Sequence, residues 1–143
     1  MDPTPLQPPG WAAPRGYANG MLVPAGARLC FVAGQIAWDP EQRLVGAGDL
    51  ALQFRTALAN VLAVVAEAGG EARHLVSMTV YVTDKRAYLE ATREIGRHWR
   101  ELCGRHFPSM ALVEVADLLE EGALVEIQAV AALPGGGPWT GST

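Results

Sequence analysis

The chain has 143 residues, half of them hydrophobic and 18% charged, with a formal net charge of −4 at pH 7. At this length folding buries roughly two thirds of the surface an unfolded chain exposes, so one domain with its own core is expected. The 11 Lys and Arg are scattered along an acidic chain, which argues against nucleic acid as a partner, since that needs a clustered basic footprint.

The opening stretch, MDPTPLQPPGW, has prolines where a secretory signal needs a basic region followed by an apolar one. No uninterrupted apolar run approaches the ~18 residues of a membrane span, so no membrane partner is expected and the protein is placed in the cytoplasm. Residues 1–15 read as a Pro-rich loop or frayed segment, 16–133 as the ordered domain, and 134–143 (PGGGPWTGST) as a flexible Gly-rich tail. GYANGMLV reads as a weak strand joined through PAG to a firmer one, ARLCFVAG, ending at Gly34. Together they predict a hairpin.

DLALQFRTALANVLAVVAEAG carries a capping Asp49, apolar residues at 54, 58, 61, 62 and 65, and Gly69 past its end, the pattern of an amphipathic helix. LVSMTVYVTD alternates Val76, Met78, Val80 and Val82 with Ser77, Thr79, Tyr81 and Thr83, as a strand with unlike faces does. AYLEATREIGRHWRELCG repeats apolar or aromatic residues at 88, 95, 99 and 102, with Thr92 allowed into the same stripe, and predicts one second helix ending near Gly104. Strands follow at 110–115 and 124–132. His98 and His106 have no third ligand at useful spacing, so no metal is expected. No cofactor is expected either, since Trp99 reads as core at helical spacing and the Gly-rich tail has no strand-to-helix phosphate loop. His74, at the start of a strand, reads as a surface residue. Cys30 and Cys103, far apart in a strand and a helix, read as reduced packing residues of a cytoplasmic protein.

Strands alternating with two long helices predict an α/β domain, a mixed sheet with both helices on one face. In the last two strands Ala111, Val113, Val115, Val125, Ile127, Ala129 and Ala131 are expected to meet the helices. Met110, Leu112, Glu114, Leu124, Glu126 and Gln128 are expected on the opposite face. A face mixing Leu, Met and carboxylates is too apolar for water and too polar for a core. Burial against further copies of the chain, with a wet cleft at the carboxylates, would satisfy both.

The stretches FVAGQIAWDPEQRLVGAGDLALQFRTALANVLAVVAEAGG, VSMTVYVTD and FPSMALVEVADLLEEGALVEIQAVA resemble the Rid (YjgF) family of reactive-intermediate deaminases, over Gly16 to Ala132. The resemblance implies a single-domain, chorismate-mutase-like α/β fold and a homotrimer with a barrel-like interior. It also implies small-molecule sites in the clefts between subunits, where enamines and imines are hydrolysed.

Position by position, the resemblance assigns Glu126, in LVEIQAVA, to the glutamate that orients the attacking water. Tyr17 falls at the tyrosine of the Gly-Pro-Tyr-like motif, with Arg15 at the glycine two residues before it. Ala33 replaces the serine of Ser-Gly-Gln, and Thr92 replaces an asparagine on the second helix. Met110 stands where a Pro-Ala-Arg-like motif has the arginine that holds the substrate carboxylate, with Leu112 next on the same face. A thioether has no donor with which to replace the two charge-assisted bonds of a guanidinium. Leaving a desolvated carboxylate unpaired costs roughly 2–5 kcal/mol, or about 30- to several-thousand-fold. Typical imino-acid deamination is therefore expected to be weak or lost, and a neutral or more apolar ligand to suit a cleft of Met110, Ala33, Leu112 and Tyr17. Two readings remain: a Rid-like hydrolase of a reactive enamine or imine, and a protein that binds or senses a small metabolite without chemistry. Arg15 is the residue that could return the missing charge, its long side chain reaching several ångströms.

Overall fold

The computed structural model describes residues 1–136, so most of the expected 134–143 tail lies outside the described residues. In chain order the elements are β1 (Thr4–Leu6), β2 (Gly20–Leu22), β3 (Arg28–Gln35), α1 (Leu50–Glu67), a 3-10 turn (Ala72–His74), β4 (Leu75–Val82), α2 (Lys85–Glu90), α3 (Thr92–Cys103), β5 (Ser109–Glu114) and β6 (Val125–Leu133). The main sheet runs β3-β6-β4-β5, with β4 and β5 parallel and the other neighbours antiparallel. This is the expected mixed sheet.

Helix α1 starts where the Asp49 side chain accepts the Leu52 N–H, and it ends before Gly69, whose φ of 86° reverses the chain. By length and composition α1 would pass for a membrane-crossing helix. Instead its Phe54, Leu58, Val61 and Val65 are fully buried and form the core with Met78 and Val80 of β4 and Ile127 of β6. The single second helix expected from the sequence is two. α2 is capped by the Asp84 carboxylate, and the chain bends at Ala91 (φ −95°, ψ 2°) before α3. At the bend the Thr92 hydroxyl donates to the Leu89 carbonyl at 2.8 Å, a local bond that competes with the helix ladder.

The expected hairpin of residues 16–34 does not form. β2 pairs with β1, Thr4 opposite Leu22 and Leu6 opposite Gly20, so part of the segment expected as loop is a strand. Pro5 is tolerated there because both strands of a two-stranded ribbon are edge strands, where proline is admitted. Between the two strands the chain runs along the outer edge of β5, where the Ala18 N–H donates to the Pro108 carbonyl at 2.9 Å. Nearer the N-terminus Asp2 pairs with Arg73 at 3.1 Å and faces His74 Nε2 at 3.5 Å. His74 is therefore not a surface residue: it is 2% exposed, and its Nδ1 accepts the Glu71 N–H at 2.9 Å.

The face assignment of β5 is also reversed. Met78, Val80 and Val82 point at the helices, and the parallel register sets them beside Met110, Leu112 and Glu114. Ala111 and Val113 consequently share the opposite face with Glu126 and Gln128, which pair with Tyr81 and Thr79. β6 keeps its expected orientation, with Val125, Ile127, Ala129 and Ala131 buried. No described helix covers the other face of the sheet, where Phe31 is 75% and Leu29 54% exposed.

Candidate functional site

The sheet divides the seven residues singled out in the sequence into two groups. Arg15, Tyr17, Thr92, Met110 and Leu112 come together on the helix side, around two adjoining cavities between the N-terminal segment, α2, α3 and the β5 edge. Ala33 and Glu126 are on the open face.

The outer cavity, about 490 Å³, is walled by Tyr17, Lys85, Leu89 and Leu112, with Arg15, Gly16, Tyr88 and Met110 shared with the inner one. The inner cavity, about 300 Å³, is walled by Phe54, Thr92, Ile95, Gly96, Trp99 and Phe107. Its floor is rigid. Trp99 stacks on Phe107 with centroids 5.6 Å apart, and its indole N–H donates to the His106 carbonyl at 3.0 Å. Phe54 and Tyr88 meet at a tilt, centroids 6.3 Å apart. Burial pushes the Tyr88 phenol above its ordinary pKa, so it stays protonated at neutral pH. Arg15 and Lys85 are the charged residues of the two cavities, and neither cavity is lined by an acid.

Tyr17 also borders a third hollow, about 370 Å³, that opens past the β5 edge onto Ser77, Thr79, Ser109 and Ala111. It thus stands where the two faces of the sheet meet. Glu114, on the helix side, accepts the backbone N–H of Lys85 at 3.0 Å. It holds the start of α2 to the end of β5, a structural duty.

Glu126 lies on the open face over Gly34. A Cβ at Gly34 would sit 2.9 Å from the Glu126 carboxyl carbon and 3.0 Å from one of its oxygens, so glycine is what lets that carboxylate lie flat against β3. Glu126 has no side-chain hydrogen bond among the described residues and is half-buried. Met110 is aligned with Met78 and Glu126 with Tyr81. Two strand spacings of ~4.8 Å and three residues at ~3.3 Å put them about 14 Å apart along the sheet, on opposite faces. One small molecule bound to one chain cannot touch both.

Among the cavity residues that the sequence does not single out for a site are Lys85, Tyr88 and Gly96. A glycine inside an otherwise periodic helix is a signal in its own right. Gly96 costs α3 about 1 kcal/mol relative to alanine, and a Cβ there would meet nothing within 4 Å.

The profile of the endoribonuclease L-PSP family matches residues 12–133. A RutC family protein of Synechocystis is 35% identical over 123 residues, 85% of this chain and 90% of its own. The human 2-iminobutanoate/2-iminopropanoate deaminase is 28% identical over 86% of this chain and 82% of its own. The crystal structure of a Rid family protein of unknown function from Yersinia pestis superposes with a TM-score of 0.82 at 27% identity, covering 93% of this chain and all of that one.

Proposed function

Because the chain belongs to the endoribonuclease L-PSP family, the Rid or YjgF family, some of whose members are imine deaminases, we propose that it is a small-molecule hydrolase acting on a reactive enamine or imine. The observation that carries this reading is the Glu126 carboxylate lying against Gly34 without a hydrogen-bond partner among the described residues. The working site is a cleft between subunits of a homotrimer. One chain contributes the Met110 cavities and a neighbouring copy contributes Glu126 and Ala33, which a single chain holds too far apart. The uncovered sheet face bearing Phe31 and Leu29 supports such an assembly.

In this mechanism Glu126 takes a proton from a water as its oxygen adds to the carbon of C=N. That proton passes to nitrogen to give a carbinolamine, whose hydroxyl proton is then transferred to nitrogen as the C–N bond breaks, releasing ammonia and leaving a carbonyl; an enamine first tautomerises to the imine. Cleft amides and the Tyr17 hydroxyl are available to stabilise developing charge. With Met110 in place of arginine, the smallest imino acids are poor substrates. A cytoplasmic setting accords with Cys30 and Cys103 remaining free thiols. The endoribonuclease label draws no support from the scattered cations of this acidic chain.

The test is turnover of a panel of enamines and imines, with and without a carboxylate, by the natural chain and by Glu126→Gln. Loss of a general base predicts a fall in kcat of about 10²–10⁴-fold; unchanged turnover in the variant would remove Glu126 from the chemistry. The absence of a donor at Met110 favours a second reading, metabolite binding without chemistry. Binding of panel compounds with no turnover of any would select it.

A further inference from the structure

We propose that the double cavity beside Met110 receives carboxylates bearing a bulky apolar group, Arg15 gripping the carboxylate at the mouth while a ring or branched chain enters the inner cavity. The inference rests on the reading above that this cavity belongs to the substrate site, and it names the substrate class: 2-imino acids with aromatic or large branched side chains rather than those with a one- or two-carbon side chain.

Charge is the first support. In a chain of net charge −4, the charged residues lining these two cavities are both cations, Arg15 and Lys85. The nearest acid named above, Glu114, is bound to the Lys85 backbone N–H. Arg15 is exposed and forms no ion pair among the described residues, so its five donors are available for bidentate capture of a carboxylate.

Shape is the second. The inner cavity holds about 300 Å³ and is walled by Phe54, Ile95, Trp99, Phe107 and Met110, with Gly96 supplying no side chain where one would fit. This is space at the low end of ligand pockets, roughly 300–1,000 Å³, built of aromatic and thioether surface that favours rings. A pyruvate-sized ligand would leave it empty. The family's arginine position carries Met110, so the charge has moved outward to Arg15 and the apolar region has deepened. In a 2-imino acid the C=N carbon adjoins the carboxylate, which places the reacting atom near Arg15 and Tyr17, where a second copy can approach.

The proposal is tested by calorimetric titration of the full chain with non-hydrolysable ketones: phenylpyruvate, pyruvate, and the uncharged 1-phenylpropan-2-one. Phenylpyruvate should bind at least tenfold tighter than pyruvate. Arg15→Ala should weaken phenylpyruvate at least tenfold and the neutral ketone less than twofold, with partial recovery in Arg15→Lys. Gly96→Leu, which fills the inner cavity from an unstrained helical position, should weaken phenylpyruvate at least tenfold, leave pyruvate unchanged, and not lower Tm. Equal affinity for the two acids, equal losses for acid and ketone in Arg15→Ala, an indifferent Gly96→Leu, or no binding of phenylpyruvate at millimolar concentration would each overturn it. Turnover is not read in these titrations. Binding as described without hydrolysis of any imine would sink the hydrolase reading alone, and hydrolysis with a flat binding pattern would sink this one alone.

Discussion

Gly34→Ala isolates the placement of Glu126 from its presence. The new methyl would lie 2.9 Å from the Glu126 carboxyl carbon, 3.0 Å from an oxygen and 3.1 Å from Cγ, and these atoms form the far end of a flexible side chain. The backbone can hold its position, because Gly34 is not in the left-handed region, while the carboxylate swings away. Forcing one side chain off its preferred rotamer costs about 0.5–1.5 kcal/mol, and alanine at a compatible position returns about 0.4–1 kcal/mol through the unfolded state. The net change should lie within about 1 kcal/mol, a Tm shift of no more than about 5 °C in a chain of this size. Activity should respond far more, since displacing a reacting group by about 1 Å costs on the order of 100-fold. Steady-state kinetics on the best imine of the panel should therefore show kcat down about 100-fold with KM nearly constant, beside a melting curve close to the natural one. In the Glu126→Gln background the same substitution should cost little more, because both changes act on one group. Full kcat in Gly34→Ala with an intact fold, or simple additivity in the double variant, would refute the idea that Glu126 acts from its seat on β3.

Met110→Arg should raise turnover of 2-iminopropionate by about tenfold or more by restoring a bidentate partner, measured as ammonia release; no gain would mean that the side chain at 110 does not meet the carboxylate. Sedimentation should find a trimer at micromolar concentration, and Phe31→Asp, which charges the uncovered sheet face, should shift it to monomer and abolish turnover while each chain stays folded. Burial holds the His74 pKa below its ordinary 6.5, opposed only in part by Asp2, with Arg73 and His106 adding to the depression. The unfolded chain therefore binds the proton more readily. The neutral buried form contributes stability above about pH 6.5 that is lost as pH falls toward the folded pKa, by at most about 1.4 kcal/mol per pH unit. Urea unfolding at pH 7.5 and 5.5 should show this loss, and His74→Gln should flatten it; a natural chain equally stable at both would contradict the burial argument.

What could be read from the sequence followed from periodicity with an unmistakable partner. Asp49, the stripe from Phe54 to Val65 and Gly69 marked α1 to within a residue or two, and the alternation of β4 fixed its faces, because both elements sit in the middle of the fold and bury one side fully. β5 is an edge strand in which no residue is fully buried. Its alternation shows two sides without telling which is inside, and only the parallel register with β4 decides it. The strand at Gly20–Leu22 is legible but its partner is not, for a related reason: it can pair with any edge of fitting length, and the choice of Thr4–Leu6 depends on contacts distant in sequence. Of the candidate site, Arg15, Tyr17, Thr92, Met110 and Leu112 were named from the sequence and are gathered at one place. Their separation from Glu126 followed once β5 was turned over. The inner cavity was invisible because its most telling residue, Gly96, contributes by having no side chain.

The stretch between β1 and β2 has a consequence for how this protein can diverge. By bonding Ala18 to Pro108 it caps the free rim of β5, which would otherwise invite pairing with stray chains, and the same few residues present Arg15 and Tyr17 to the cavities. On the proposed reading, guarding against clumping and choosing a ligand fall to one ribbon. A substitution there that retunes selectivity also loosens or tightens the guard, so new specificities should be reached more readily through Gly96 and Met110, whose backbone is held by α3 and the sheet, than through the ribbon itself.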